Sequence, residues 1–103
     1  MLPKIRLRKT KDEVALVSCA SGPGVIREEV WENEAGKAVR YNLAFINHIL
    51  YPKDNGRVLG YDNAHGPHHR HYFGTVEPVV AAGFEAVAKL FYAEVKELRK
   101  RKP

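Results

Sequence analysis

Apolar and polar side chains alternate along much of the chain before residue 78, and the alternation is clearest from 39 to 45. There Val39, Tyr41, Leu43 and Phe45 fall on one side, opposite polar residues. Successive side chains of a β-strand point to opposite faces, so this pattern predicts a strand with one buried face. Three further main strands are predicted at 12–19, 25–32 and 57–61. Additional candidates are 4–9, as a short edge strand, and 71–77, as a last short strand.

The spacing of apolar residues changes to steps of three and four near the C-terminus, which predicts a helix with one apolar stripe. The stripe consists of Val80, Phe84, Val87, Ala88, Phe91, Val95 and Leu98. Gly, Pro and Asn punctuate the segments before it, at 20–24, 33–36 and 51–56, so the strands are joined by short turns. The predicted fold is a single α+β domain over residues 1–103. An antiparallel sheet of four to five strands carries one long C-terminal helix on one face, as a two-layer sandwich.

Composition narrows the class of protein. The chain has 103 residues, is 45% hydrophobic and 28% charged, and carries a formal net charge of +5. The excess of basic residues favours acidic partners such as nucleic acid, although solubility alone is an alternative explanation. Cys19 is the single cysteine, which excludes an intrachain disulfide scaffold. With no apolar run near the length of a membrane span and no signal-like leader, we expect a cytoplasmic protein without membrane contact.

Four of the five histidines lie within one short segment: His65, His68, His69 and His71. One interpretation is metal binding, because His69 and His71 are two residues apart and project to the same side of an extended chain, with Asp62 as a third ligand. The spacing matches no closed zinc site. We therefore predict no metal and no cofactor, and keep a metal-binding module as an alternative.

A second interpretation is acid–base catalysis. Imidazoles titrate near neutral pH, so one ring can accept a proton while another donates one. Cleavage of RNA by its own 2′-hydroxyl needs such a pair and a cation for the phosphate, which Arg70, Arg57 or Lys53 could supply. A third interpretation is binding alone, with Tyr61, Tyr72, Phe73 and the imidazoles stacking on bases. The simplest alternative is an exposed loop without chemistry.

Outside this segment the residues have structural explanations. Trp31 is expected in the core or on a sheet face rather than as a stacking platform. The chain contains no phosphate-binding glycine loop and no G-x-S-x-G nucleophile turn. Nucleotide-dependent and serine-hydrolase chemistry therefore have no support.

Several motifs together resemble the TumE family of small bacterial toxins over roughly residues 22–98. They are Val25-Ile26 with Val30-Trp31, then Val39-Arg40-Tyr41 with Leu43-Ala44-Phe45-Ile46, then Arg57-Val58-Leu59-Gly60-Tyr61-Asp62-Asn63, and His69-Arg70-His71. The resemblance implies the toxin of a type II toxin–antitoxin pair, with a cognate antitoxin as partner and a target in RNA or translation.

The chain departs from the family pattern at two positions. Gly60 stands where an arginine usually precedes Tyr-Asp-Asn, and His68 stands where an acidic residue often precedes His-Arg-His. Only the His-Arg-His triplet carries over from the histidine segment. If the missing arginine grips phosphate in the family, Arg57 would have to replace it.

The combined hypothesis is a metal-independent ribonuclease toxin. His69 and His71 would share general acid and base work, and Asp62 would orient one imidazole. Contacts to nucleic acid would come from the following residues: Arg70, which would neutralise the phosphate, and Arg57, Tyr61, Asn63 and Lys53. The alternatives are a non-enzymatic module that binds nucleic acid or protein through the histidine-rich loop, and the metal-binding module.

Overall fold

The computed structural model describes residues 6–103 and shows an antiparallel meander followed by one helix. Each strand pairs with its neighbour in sequence. The elements are β1 (Arg8–Val17), β2 (Gly24–Glu32), β3 (Ala38–Ile46), β4 (Arg57–Asp62), β5 (His69–Tyr72), β6 (Thr75–Pro78) and α1 (Phe84–Leu98). The predicted α+β class, with one C-terminal helix packed against an antiparallel sheet, is confirmed.

The predicted number of strands is wrong, because the described residues form six. The segment 71–77 is a hairpin rather than one strand. Phe73 and Gly74 both have positive φ, 46° and 83°, as the central residues of the tight turns that match the twist of paired strands. A non-glycine residue seldom adopts this conformation, so the turn carried no sequence signal.

The N-terminal strands also differ from prediction. Arg8 and Lys9 belong to the same strand as residues 12–17, interrupted only by a register shift between Lys9 and Lys11. Residues 4 and 5 of the predicted edge strand lie outside the described residues. Because the sheet edge is one long strand, the basic side chain of Lys9 is placed beside β2.

The helix begins at Phe84, four residues later than the first member of the predicted stripe. Val79 still donates a backbone hydrogen bond to the carbonyl of His68, which continues the pairing of β5 with β6 past Pro78. The chain is therefore held to the sheet at this point, and Val80 is fully exposed. The later members of the stripe are buried as predicted: Val87, Phe91, Val95 and Leu98.

The core lies between α1 and the centre of the sheet. Tyr41, Leu43 and Phe45 of β3 face the helix together with Leu59 and Tyr61 of β4, and all are buried. This confirms the predicted apolar face of β3. The sheet surface opposite α1, which we call the open face, carries no second layer within the described part of the chain. No helix there is both long and apolar enough to span a membrane.

Candidate functional site

The three predicted catalytic side chains, Asp62, His69 and His71, lie on the open face. Asp62 in β4 pairs with His69 in β5, and Gly60 pairs with His71. Because alternate residues of a strand share a face, His69 and His71 both project beside Asp62. The β4–β5 hairpin thus places two imidazoles and a carboxylate on one surface.

A chain of hydrogen bonds joins Asp62, His71 and Arg57. The Nε2 atom of His71 lies 2.7 Å from Oδ2 of Asp62, and its Nδ1 lies 3.2 Å from an Nη of Arg57. Guanidinium nitrogens only donate, so Nδ1 of His71 accepts and its Nε2–H donates to the carboxylate. This arrangement requires the neutral imidazole, with its tautomer fixed by Asp62.

Arg57 is held in place by its own turn. Its Nε and an Nη bond to Oδ2 of Asp54 at 3.0 and 2.9 Å. Asp54 begins the short 3-10 turn Asp54–Gly56 that leads into β4. Asn55 and Gly56 both have positive φ, 53° and 81°, which bends the chain tightly enough to bring the carboxylate back to Arg57.

The site opens into a shallow groove of about 490 Å³ on the open face. The groove is lined by Glu29, Trp31, Arg40, Tyr41, Asn42, Arg57, Asp62, Ala64, His65, His69, His71 and Val76. His69 takes part in no side-chain hydrogen bond among those found for residues 6–103, although His71 is fully engaged. The two predicted catalytic histidines therefore differ in their surroundings.

Arg70 and Tyr61 project to the opposite side of the sheet, toward α1. The Arg70 guanidinium binds both carboxylate oxygens of Glu94 from the helix and reaches Glu77 at 2.9 Å. The hydroxyl of Tyr61 donates to the same Glu94 carboxylate. The hydrogen bond from Arg70 to Glu94 raises the arginine's pKa. Burial, and then the bond to Glu94, raises the pKa of Tyr61.

These contacts tie β5 to the helix and leave Arg70 and Tyr61 away from the groove. Both residues were predicted to contact nucleic acid, yet each is one residue away from an open-face position. The two-residue period of a strand carried this information, because Arg70 stands between two histidines that share a face.

Asn63 and Lys53 also stand apart from the histidine pair. The Asn63 side chain accepts from the backbone N–H of Tyr41 and donates to the carbonyl of Val39, so it replaces strand pairing where β4 ends. Lys53 is exposed in the turn before Asp54. Neither residue lines the groove.

His68 has a partner that sequence reasoning missed. Its Nδ1 lies 2.6 Å from the hydroxyl of Tyr41, and the two rings stack with centroids 5.7 Å apart. Burial, and then the negative charge of Asp62, raises the pKa of Tyr41 to about 12. The tyrosine hydroxyl therefore stays protonated and shares a hydrogen bond with Nδ1 of His68. His65, by contrast, is exposed in the turn.

Within residues 6–103, no three side chains of His, Cys, Asp or Glu converge as a metal site would require. His71 Nε2 is already bonded to Asp62 and its Nδ1 to Arg57. The arrangement of donors is instead that of a carboxylate-oriented imidazole next to a guanidinium.

Comparison with known protein families identifies the family of this chain. The model of the toxin TumE family matches residues 21–99 of the 103-residue chain. The chain belongs to the TumE toxin family. A search of curated proteins and a search of solved structures each found no significant match. Membership confirms the resemblance seen over residues 22–98 and makes a cognate antitoxin the expected partner.

The TumE match begins just before β2 and ends just after α1, so it includes the whole Asp62–His71–Arg57 chain. The family resemblance leads us to expect an arginine at position 60, where this chain has glycine. A side chain at this position would project from the open face beneath Arg57. A Cβ atom at position 60 would lie 3.0 Å from Cδ of Arg57. In this TumE chain the side chain of Arg57 therefore covers the position from which an arginine at 60 would project.

Proposed function

We propose that this TumE protein is the toxin of a toxin–antitoxin pair and that it acts as a metal-independent ribonuclease. Its site comprises Asp62, His69, His71 and Arg57. The observation that carries the proposal is the hydrogen-bonded chain Asp62–His71–Arg57 beside His69 on an open groove. A basic chain with net charge +5 is suited to a polyanionic substrate.

His71 is the general base. Asp62 accepts the Nε2–H and stabilises the imidazolium that forms when Nδ1 takes a proton, as in other carboxylate–imidazole pairs. Arg57 at Nδ1 first donates its N–H to the imidazole. When a phosphate enters the groove, the guanidinium transfers to a phosphate oxygen, because that acceptor is negatively charged and can take two guanidinium N–H bonds, whereas the imidazole is neutral and takes one. This transfer frees Nδ1 for the 2′-hydroxyl of the substrate.

His69 is the general acid. It lies two residues from His71 along β5, about 6.6 Å at the backbone. His71 removes the proton from the 2′-hydroxyl, and the O2′–P bond forms. Protonated His69 donates its proton to the 5′ oxygen, and the P–O5′ bond breaks. The products are a 2′,3′-cyclic phosphate and a 5′-hydroxyl, and Arg57 neutralises the charge that develops on the phosphorane.

A second candidate function is binding without catalysis. Both ring nitrogens of His71 are engaged before any ligand arrives. The same hydrogen-bonded chain would then serve to hold the β4–β5 hairpin rigid, and the groove would block its target by occupancy. This alternative predicts salt-sensitive binding to RNA without cleavage.

The test is a cleavage assay on single-stranded RNA with the purified chain in the presence of EDTA. We expect products that end in 2′,3′-cyclic phosphate, identified by mass spectrometry. His71→Ala and His69→Ala should each lower the rate by roughly 10²–10⁴-fold, the usual contribution of a general acid or base. His48→Ala is the matched control, because His48 is exposed and lies outside the groove.

Three results would count against the proposal. Intact RNA together with saturable binding favours the binding function. Cleavage that EDTA abolishes points to a metal. Equal cleavage rates in wild type and both histidine variants would show that His69 and His71 are not the catalytic residues.

A further inference from the structure

Trp31 is a partly exposed aromatic residue of the open-face groove, and the proposed mechanism does not use it. It projects from β2. Two cations lie against its ring, Nζ of Lys9 at 5.0 Å and Cζ of Arg40 at 5.1 Å from the centroid. The register explains the arrangement, since Lys9 pairs with Trp31 across β1 and β2, and Trp31 pairs with Arg40 across β2 and β3.

The two cations differ in their other contacts. Lys9 is fixed by Glu29 at 2.7 Å and by Asp12 at 2.9 Å. Arg40 is exposed, and among the described residues it takes part in no ion pair. Its guanidinium is therefore the cation of this row that can turn toward an incoming anion.

We propose that Trp31 and Arg40 form a base-stacking subsite for unpaired RNA, with the base on the indole and the adjoining phosphate on the guanidinium. An exposed cation–π contact is weaker than the stacking of a base on an aromatic ring. Exchange of Arg40 from the ring to a phosphate is therefore favourable. It leaves to the base the part of the indole that Arg40 covered, while Lys9 stays against the ring. The inference rests on the proposed function for the identity of the substrate.

The subsite is connected to the histidines by the same surface. Glu29, two residues from Trp31, pairs with Asn42, which pairs with Asp62, which pairs with His69. Three strand spacings and two residues place Trp31 and His69 roughly 16 Å apart at the backbone. This is further than one nucleotide reaches, so the stacked base lies a few nucleotides from the scissile phosphate.

The proposal implies a preference for single strands. A stacking platform on a flat sheet requires a base whose face is free, and duplex RNA hides those faces. Purine bases should bind better than pyrimidines, because their larger rings cover more of the indole. A structural role for Trp31, as the ring that holds β1 and β3 cations in place, predicts neither preference.

Trp31 is the single tryptophan of the chain, so its fluorescence reports directly on the subsite. The probes are single-stranded 2′-O-methyl oligoadenylate and oligouridylate, which lack the attacking hydroxyl, with an abasic oligomer and a duplex for comparison. We expect saturable quenching by the single strands, stronger with adenylate. The abasic oligomer and the duplex should quench the emission less, because neither offers a free base face to the indole.

Variants are compared by the anisotropy of labelled oligoadenylate. Trp31→Leu and Arg40→Gln should each weaken binding roughly 10-fold, and Trp31→Phe should weaken it less. Tyr92→Leu is the control, because Tyr92 is an exposed aromatic on α1 outside the groove. Arg40→Gln keeps the test valid if loss of the indole impairs folding, since Arg40 is exposed.

The outcomes separate this inference from the ribonuclease. Quenching and Trp31-dependent binding without RNA cleavage support the subsite and overturn the enzyme. If the wild-type protein cleaves RNA and Trp31→Leu binds and cleaves RNA equally well, the subsite is overturned and the ribonuclease proposal stands. Equal quenching by the abasic oligomer also overturns the subsite, because the signal would then come from phosphate alone.

Discussion

Replacing Arg70 should destabilise the protein strongly, although the sequence suggests a residue that contacts substrate. The Arg70 side chain is 21% exposed, its partner Glu94 is 26% exposed, and the pair connects β5 to α1. In Arg70→Met the alkyl stem remains, but the Glu94 carboxylate loses its cation. Tyr61 then stays as the hydrogen-bond donor to Glu94.

The magnitude follows from burial. Breaking a fully buried ion pair costs about 3–5 kcal/mol and an exposed one about 0–1 kcal/mol, so this intermediate pair should cost about 2 kcal/mol. The guanidinium also lies 4.3 Å from the ring of Tyr72, a contact worth about 0.5–1 kcal/mol. We expect a loss of about 2–3 kcal/mol. For a domain of this size that lowers Tm by roughly 8–24 °C.

The assay is urea unfolding followed by circular dichroism, with Arg57→Gln as the matched control. Arg57 pairs with Asp54, whose side chain is 40% exposed, and a glutamine amide at position 57 can still donate a hydrogen bond to His71. This replacement should therefore cost less than about 1 kcal/mol. Adding Glu94→Gln to Arg70→Met removes the orphaned charge. The loss of stability in the double variant should therefore be at least about 1 kcal/mol smaller than the sum of the losses in the two single variants.

A change in the free energy of unfolding of less than about 0.5 kcal/mol in Arg70→Met would contradict a stabilising role for the Arg70–Glu94 pair. A loss of RNA binding in that variant, with stability unchanged, would return Arg70 to the substrate site. Equal losses in Arg70→Met and Arg57→Gln would show that burial does not distinguish the two arginines.

Three further results are expected. Arg57→Ala should slow RNA cleavage by about 10²-fold, as removal of a preorganised donor does. Adding Gly60→Arg to that variant should recover part of the rate. If the double variant is as slow as Arg57→Ala, an arginine at position 60 does not bind the phosphate. Asn63→Ala should cost about 1–3 kcal/mol in urea unfolding, because two backbone groups lose their partner, and an unchanged midpoint would contradict this. The hydrogen bond from Lys9 holds the pKa of Glu29 below its ordinary 4.5, so the stabilisation by ionised Glu29 is present above that pH and is lost in acid. The difference in stability between wild type and Glu29→Gln should therefore shrink as the pH falls below 4.5. A difference that stays constant with pH would exclude this linkage.

Most of the fold could be predicted from local patterns. The period of two in β3 and the three- and four-residue steps of α1 each record which side of an element is buried. These patterns fixed the class, the order of elements and the apolar partners of the helix. They failed at Phe73-Gly74, where a non-glycine residue takes a positive φ, and at Val80, whose place in the apolar stripe was overridden by sheet pairing of Val79.

The candidate site was only partly accessible from the sequence. Strand periodicity puts His69 and His71 on one face and Arg70 on the other, and Asp62 is near enough in sequence to be proposed beside them. Which nitrogen of His71 meets Asp62 depends on the pairing of β4 with β5.

Tertiary structure alone decided the contacts between distant segments. Glu94 lies 24 residues from Arg70 in sequence, and its hydrogen bonds hold the guanidinium on the side of the sheet that faces the helix. Trp31 and Arg40 reach the groove because β2 and β3 pair in one register, which places them on the open face with the histidines. Periodicity within one segment states which way a side chain points, but its neighbours across the sheet are set by register and packing, and these depend on the whole chain.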